Sequence, residues 1–168
     1  QRGNLDSDPR LPGLFATVFF TIAFGLTAVS FFGGMNKTQI VTPSGTVMLQ
    51  IDEFSRMFEL ILFGALALAS AASVNRIPAT SRADRSLSGL YHNRRQVDFY
   101  ILLITTGLGM AVVALAQDLF MLFIGLELAS FSTYVLVSFM KESKEGTEAG
   151  MKYFIVGSVA SGVGLYGL

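Results

Sequence analysis

Cysteine and tryptophan are absent from the 168 residues, and there is a single histidine, His92. Without thiols the chain cannot ligate an iron–sulfur cluster or form a disulfide. With one imidazole it lacks the ligands for a multi-histidine metal or haem site. Charge is scarce too: 14% of residues are Asp, Glu, Lys or Arg, against about 25% in soluble domains. Acids and bases balance at 12 each, so no net field draws the chain to nucleic acid. The lack of tryptophan also weakens any aromatic-belt argument for membrane depth, although 15 phenylalanines are present.

What remains is apolar. Hydrophobic residues make up 52% of the chain, in long runs between clustered charges. That pattern reads as an integral membrane protein, since a spanning helix needs roughly 20 apolar residues. Five spans are expected, at residues 14–33, 57–74, 99–116, 119–140 and 147–168. The fold class is all-α, a polytopic transmembrane bundle forming a single domain. The chain opens on Gln1 rather than methionine and stops inside an apolar stretch, which leads us to expect a piece of a longer polypeptide. No signal peptide is visible. Small residues at Ala65, Ala69 and Ser73, and at Gly157, Ser161 and Gly164, predict faces for close helix packing in lipid.

The loops set the orientation. Arg2 and Arg10, then Arg76, Arg82, Arg85, Arg94 and Arg95, then Lys141 and Lys144 all fall on one side. The other side has Lys37 and Arg56 only. The positive-inside rule places the N-terminal segment in the cytoplasm. Asp52, Glu53 and Arg56 are read as residues of an outer loop or its interface, and Glu59 as a carboxylate that reaches water. Asp98 and Asp118 are read as ordinary helix-end charges, and His92 as a solvated loop residue.

Glu127 resists such a reading. It lies eight residues past Leu119, about 12 Å into a hydrocarbon layer ~30 Å thick. A charge at that depth costs between ~3 and ~10 kcal/mol. Such a carboxyl is either neutral or held ionised by a cation, and a group that alternates between the two carries protons. The plainer alternative is a protonated glutamate in a static hydrogen bond between helices. Ser130, Tyr134 and Ser138 follow at i+3, i+7 and i+11 and extend a polar stripe toward the cytoplasm. That stripe has to face protein or water. Lys152, about one turn into the fifth span, is the second anomaly. It either snorkels to the interface or acts as a buried cation tuned by a neighbour. Tyr134 and Lys152 lie at similar depth, each roughly 7 to 10 Å from the cytoplasmic face, with Glu127 about 10 Å deeper. A direct Glu127–Lys152 bridge is therefore not expected.

The run DLFMLFIGLELASFSTYVLVSF, followed by TEAGMKYFIVGSVASGVGLYG, resembles subunit N of the respiratory complex I family, an antiporter-like membrane subunit. The pattern EA-x-x-KYF-x-x-G-x-x-x-S-x-x-x-LYG is met by Glu148, Ala149, Lys152, Tyr153, Phe154, Gly157, Ser161, Leu165, Tyr166 and Gly167. IDEFSRMF and QVDFYILLITTGLGM also fit, so the likeness covers about residues 50 to 168. Asp98 departs from it, a glutamate being usual there.

The resemblance implies a subunit of about fourteen helices, of which these would be the second to sixth, and proton translocation driven by electron transfer elsewhere. Glu127 matches the family's buried glutamate and Lys152 the lysine of KYF. Tyr134, Ser130 and Ser138 would be accessory. No cofactor is implied in this chain. Flavin and iron–sulfur clusters are expected in partner subunits, with a quinone or methanophenazine as acceptor. The donor could be NADH, ferredoxin or a reduced deazaflavin. The implied partners are antiporter-like and quinone-site membrane subunits, a peripheral redox arm and the bilayer. The expected location is a prokaryotic cytoplasmic membrane, or an organellar energy-transducing one. Two other readings stay open: a multi-subunit cation/proton antiporter or membrane-bound hydrogenase, and a scaffold that only anchors partners.

Overall fold

The computed structural model describes residues 10–34, 36–74, 87–139 and 144–167. The elements run α1 (Leu11–Phe32), β1 (Thr38–Val41), β2 (Val47–Ile51), α2 (Glu53–Ser73), α3 (Leu87–Leu115), α4 (Leu119–Val137) and α5 (Lys144–Gly167). Of the arginine-rich loop, Arg76, Arg82 and Arg85 lie outside the described residues, as do Arg2, Lys141 and Glu142; so do the side chains of His92 and Arg94.

Four helical segments are long and apolar enough to cross a membrane: Leu11–Phe32, Glu53–Ser73, Arg95–Leu115 and Leu119–Val137. α5, at 24 residues, is longer than any of these segments, but its glycines, serines and early charges dilute the apolar run. Their hydroxyls fold back on their own helices. Thr17 donates to the Gly13 carbonyl, Thr21 to Thr17, Thr106 to Leu102 and Ser132 to Leu128, all at 2.7–2.9 Å. Each polar group is thereby satisfied without water.

Helix starts differ from the apolar runs for local reasons. α1 begins at Leu11 because Pro12 fits the first turn, where an amide would be unpaired anyway. It ends as Gly33 N–H donates to the Val29 carbonyl (2.8 Å), and Gly34 turns the chain at φ +61°, a region glycine enters without strain. α2 begins four residues before the expected span because Asp52 caps it. The Asp52 carboxylate accepts from Ser55 N–H (2.9 Å), while Ser55 Oγ accepts from Asp52 N–H (2.8 Å). Arg56 is therefore a first-turn residue of α2, at the interface end of the span rather than in the loop. It is 3% exposed and donates to the Asn36 carbonyl at 3.0 Å. α3 begins twelve residues before its expected start, since the polar stretch before Phe99 continues the helix past its apolar window.

The Ser55 amide and the Gln50 side chain hold the Asp52 carboxyl below its ordinary value of 3.8. A lowered folded value adds stability above the unfolded value and loses it as pH falls through the folded one. Asp52→Ala is expected to cost about 1 kcal/mol at neutral pH. The deficit should shrink below the ordinary carboxylate value of 3.8. Thermal melts in detergent at neutral and acid pH check this.

The segment between α1 and α2, read from sequence as a plain loop, forms a hairpin. Thr38 pairs with Ile51, Gln39 with Gln50, Ile40 with Leu49 and Val41 with Val47, with a bulge at Ile40/Val41. Gly45, at φ +89°, closes the turn. The hairpin also grips the α3–α4 connection: Gln117 N–H donates to the Met48 carbonyl at 3.0 Å, and Leu49 bridges Ala116.

Packing is closest where side chains are smallest. At the α1–α2–α3 junction Phe20 and Leu66 are buried, and a Cβ on Gly107 would lie 2.8 Å from Leu66 Cδ1. Leu66 and Ser70 carry the buried face of α2. Ala65 and Ala69, the expected packing positions, are exposed. Tyr100 lies over Gly13, with its hydroxyl 3.1 Å from Ser73 Oγ. Between α3 and α4 the backbones meet: a Cβ on Gly109 would lie 2.5 Å from Ala129 N and 2.9 Å from the Gly125 carbonyl oxygen. Without a hydrophobic force between helices in lipid, such close approach is what holds them.

Candidate functional site

α4 positions the site. Asp118 caps its start, accepting from Phe120 N–H at 3.1 Å. Gly125 and Ala129, two residues to either side of Glu127, are buried against α3. Two residues turn a helix by about 200°, so Glu127 leaves α4 on the side away from α3. It is half-buried. Among the described residues no hydrogen bond or ion pair reaches its carboxylate.

The stripe below Glu127 leads to α5. Ser130 is half-buried, and Tyr134 is 8% exposed. The Tyr134 ring meets Tyr153 edge-on at 4.9 Å and Phe154 at 5.8 Å, and its hydroxyl end rests on Gly157. Ser138 closes α4, its Oγ donating to the Tyr134 and Val135 carbonyls at 3.3 and 3.2 Å, and packs on Gly150. Gly150 and Gly157 thus give α5 a small-residue face for α4, whereas Gly164 meets open space. Tyr134, Ser138, Gly150 and Phe154 line a groove of about 470 Å³ between the two helices.

Lys152 is on the far side of α5. It lies two residues from buried Gly150, again about 200° around the helix. Its ammonium pairs with Glu148 at 2.5 Å, and the two side chains are 73% and 57% exposed. Tyr134 and Lys152 are level, because Tyr134 contacts Tyr153, but Lys152 points away from α4. The structure therefore gathers Ser130, Tyr134 and Ser138 beneath Glu127 and leaves Lys152 apart.

Two charged residues of the neighbouring helices are placed differently from their reading in the sequence. Glu59 is half-buried, three residues beyond Arg56 on the face of α2 that also buries Leu66 and Ser70. Arg95 spans from α3 to the end of α4, donating from Nη2 to the Phe139 carbonyl at 3.1 Å. In the one-dimensional sequence Glu59 reads as a carboxylate that reaches water and Arg95 as a loop charge. The signal that could have found them was helical phase: Glu59 follows the Asp52 cap, and Arg95 precedes Gln96 and Tyr100, which are both 2% exposed. Among the described residues no cluster of three or more His, Cys, Asp or Glu forms a metal site.

Residues 116–168, which contain Glu127, Ser130, Tyr134, Ser138 and Lys152, match the family described as NADH:quinone oxidoreductase/Mrp antiporter, transmembrane region. Over 157 residues, 93% of its length, the chain is 35% identical to the F(420)H(2) dehydrogenase subunit N of Methanosarcina mazei. It is 34% identical over 156 residues to the NADH-quinone oxidoreductase subunit N of Azoarcus sp.. With the same subunit of Halorhodospira halophila it shares 47% identity over 73 residues, 44% of the chain and 15% of that relative. The chain spans 28% of the length of the first two relatives.

Proposed function

We propose that this chain, homologous along most of its length to subunit N of NADH-quinone oxidoreductases, is part of a membrane subunit that moves protons. Electron transfer in partner subunits drives the movement. The observation that carries this reading is Glu127: an acid inside an apolar helix, turned from α3, with a polar stripe running to the cytoplasmic end. Moving one charge against ~100 mV takes about 2.3 kcal/mol. In this reading, as the relatives' names as dehydrogenase and oxidoreductase subunits suggest, that energy comes from flavin and iron–sulfur subunits of a peripheral arm. A quinone or methanophenazine is the electron acceptor.

In this reading residues 1–168 form one transmembrane domain in a prokaryotic cytoplasmic membrane, beside antiporter-like and quinone-site subunits. Glu127 is the switchable carboxylate. Lys152 is the cytoplasmic-side relay or tuning cation, paired with Glu148. Tyr134, Ser130 and Ser138 are accessory. The cation that meets Glu127 comes from outside the described residues, because Lys152 faces the other way. Proton uptake by membrane vesicles carrying Glu127→Gln tests the assignment, and normal uptake overturns it.

A second reading has support in the family description, which also covers Mrp antiporters. In that case the subunit exchanges a cation for protons without redox partners. Transport that requires sodium and proceeds without an electron donor would favour it.

A further inference from the structure

α4 ends without the usual helix-stopping devices. Its cap is Ser138, at φ −89° and ψ 13°, rather than a left-handed glycine, and its last turn has no basic residue. The negative end of its dipole therefore lacks a cation of its own. The next residue, Phe139, donates its N–H to the Leu136 carbonyl at 3.2 Å, which leaves its own carbonyl projecting beyond the helix.

Arg95 of α3 supplies what is missing. Its guanidinium donates to that Phe139 carbonyl at 3.1 Å and lies 5.4 Å from the centre of the Phe139 ring. Phe99, one turn along α3, meets the same ring edge-on at 5.2 Å. An arginine at the end of a span ordinarily snorkels toward headgroups. Arg95 begins the apolar window of α3 yet turns sideways to a neighbouring helix. A planar guanidinium can bond a carbonyl and cover a ring at once, which an ammonium does less well.

The residue gripped in this way follows Ser138 directly, and Ser138 packs on Gly150 of α5. The grip thus fixes the lower end of the stripe and its seating on α5. We infer that Arg95 is a positioning residue: from α3 it completes the end of α4 and holds Ser138 and Tyr134 in line beneath Glu127. Phe99 is its brace. This inference rests on the proton-moving role proposed above, since it assigns Arg95 to the geometry of that path.

The test uses the assembled complex in inverted vesicles, with proton uptake and donor oxidation measured together for R95A, R95K and F139L. R95A is expected to lower protons moved per donor oxidised roughly tenfold, as misplacement of a reacting group commonly does. Hydrogen exchange of the Leu136–Phe139 amides should rise roughly tenfold as the charged hydrogen bond is lost. R95K, which keeps a cation and a donor, should restore most of both. A merely structural arginine would lower complex abundance without changing the ratio of protons to electrons. Normal coupling in R95A overturns the inference, and so does R95K as poor as R95A with unchanged exchange. Should R95A fail to assemble, F139L decides: it keeps the carbonyl and removes the ring. Reduced coupling with faster exchange in F139L supports the inference, and normal values overturn it. E127Q separates the two claims. Loss of uptake in E127Q with normal R95A defeats only the role of Arg95, whereas normal uptake in both defeats the proton path itself.

Discussion

Replacing Glu127 by glutamine is expected to reduce proton translocation by roughly a hundredfold, the lower range for loss of a proton-transfer group. Donor oxidation by uncoupled membranes should persist, and the complex should assemble normally. Glutamine keeps the shape and polarity of the side chain but cannot take up or release a proton at working pH. It brings no charge into the hydrocarbon layer, so the variant is expected to fold. Abundance and thermal stability of the complex should match or exceed those of the parent. Glu127→Asp, which retains the acid one methylene further back, should keep part of the activity. Paired measurement of uptake and abundance separates a lost proton carrier from a lost helix. A glutamine variant with low uptake only because the complex is scarce would argue for the scaffold reading.

The second large effect is structural. Gly109→Val should separate α3 from α4, because the added carbon meets Ala129 N at 2.5 Å and the Gly125 carbonyl oxygen at 2.9 Å. Both obstacles are backbone, so no change of rotamer relieves the clash. Overpacking of this kind costs about 1–3 kcal/mol and occasionally more. The α3–α4 contact also carries the tie from the hairpin through Gln117 and the grip of Arg95 on Phe139. A wedge at Gly109 therefore strains both ends of the pair. The measurements are subunit abundance in membranes and the melting temperature in detergent, and both should fall. Gly164→Ala is the control. Nothing lies within 4 Å of its added carbon, and its effect should stay within about 0.5 kcal/mol. Equal loss in both variants would show that glycine content, not close approach, matters.

Much of this architecture was legible in the sequence because membranes enforce a simple rule on helices. α1, α2 and α4 begin or end within a few residues of their apolar runs, and the remaining offsets come from Pro12, the Asp52 cap and the Ser138 cap. The expected third span is shorter than α3 because hydropathy marks where lipid ends, not where a helix ends. The hairpin was missed because TQIV and VMLQI are short, and one half of the pairing is invisible without the other. Helical phase exposed the stripe from Glu127 to Ser138. Phase alone could not tell which side of α5 meets α4, so the orientation of Lys152 had to come from Gly150 and Gly157 lying against Ser138 and Tyr134. Spacing proposed Ala65 and Ala69 as packing residues, but the bulkier Leu66 and Ser70 turned inward, since complementarity to Phe20 and Gly107 decides the face.

The hydroxyls that bond their own helices have a consequence for leakage. A membrane that stores energy as a proton gradient needs insulation around any path through it. Thr17, Thr21, Thr105, Thr106, Ser132 and Thr133 all end on a carbonyl oxygen, which has no hydrogen to pass on. Each is a dead end for a proton hopping along hydroxyls. Among the described residues the Ser130 and Tyr134 hydroxyls have no such commitment, and both lie beneath Glu127. Ser138, at the end of α4, is committed to carbonyls like the others, so under the proposed function the hydroxyls left to serve Glu127 are those of Ser130 and Tyr134.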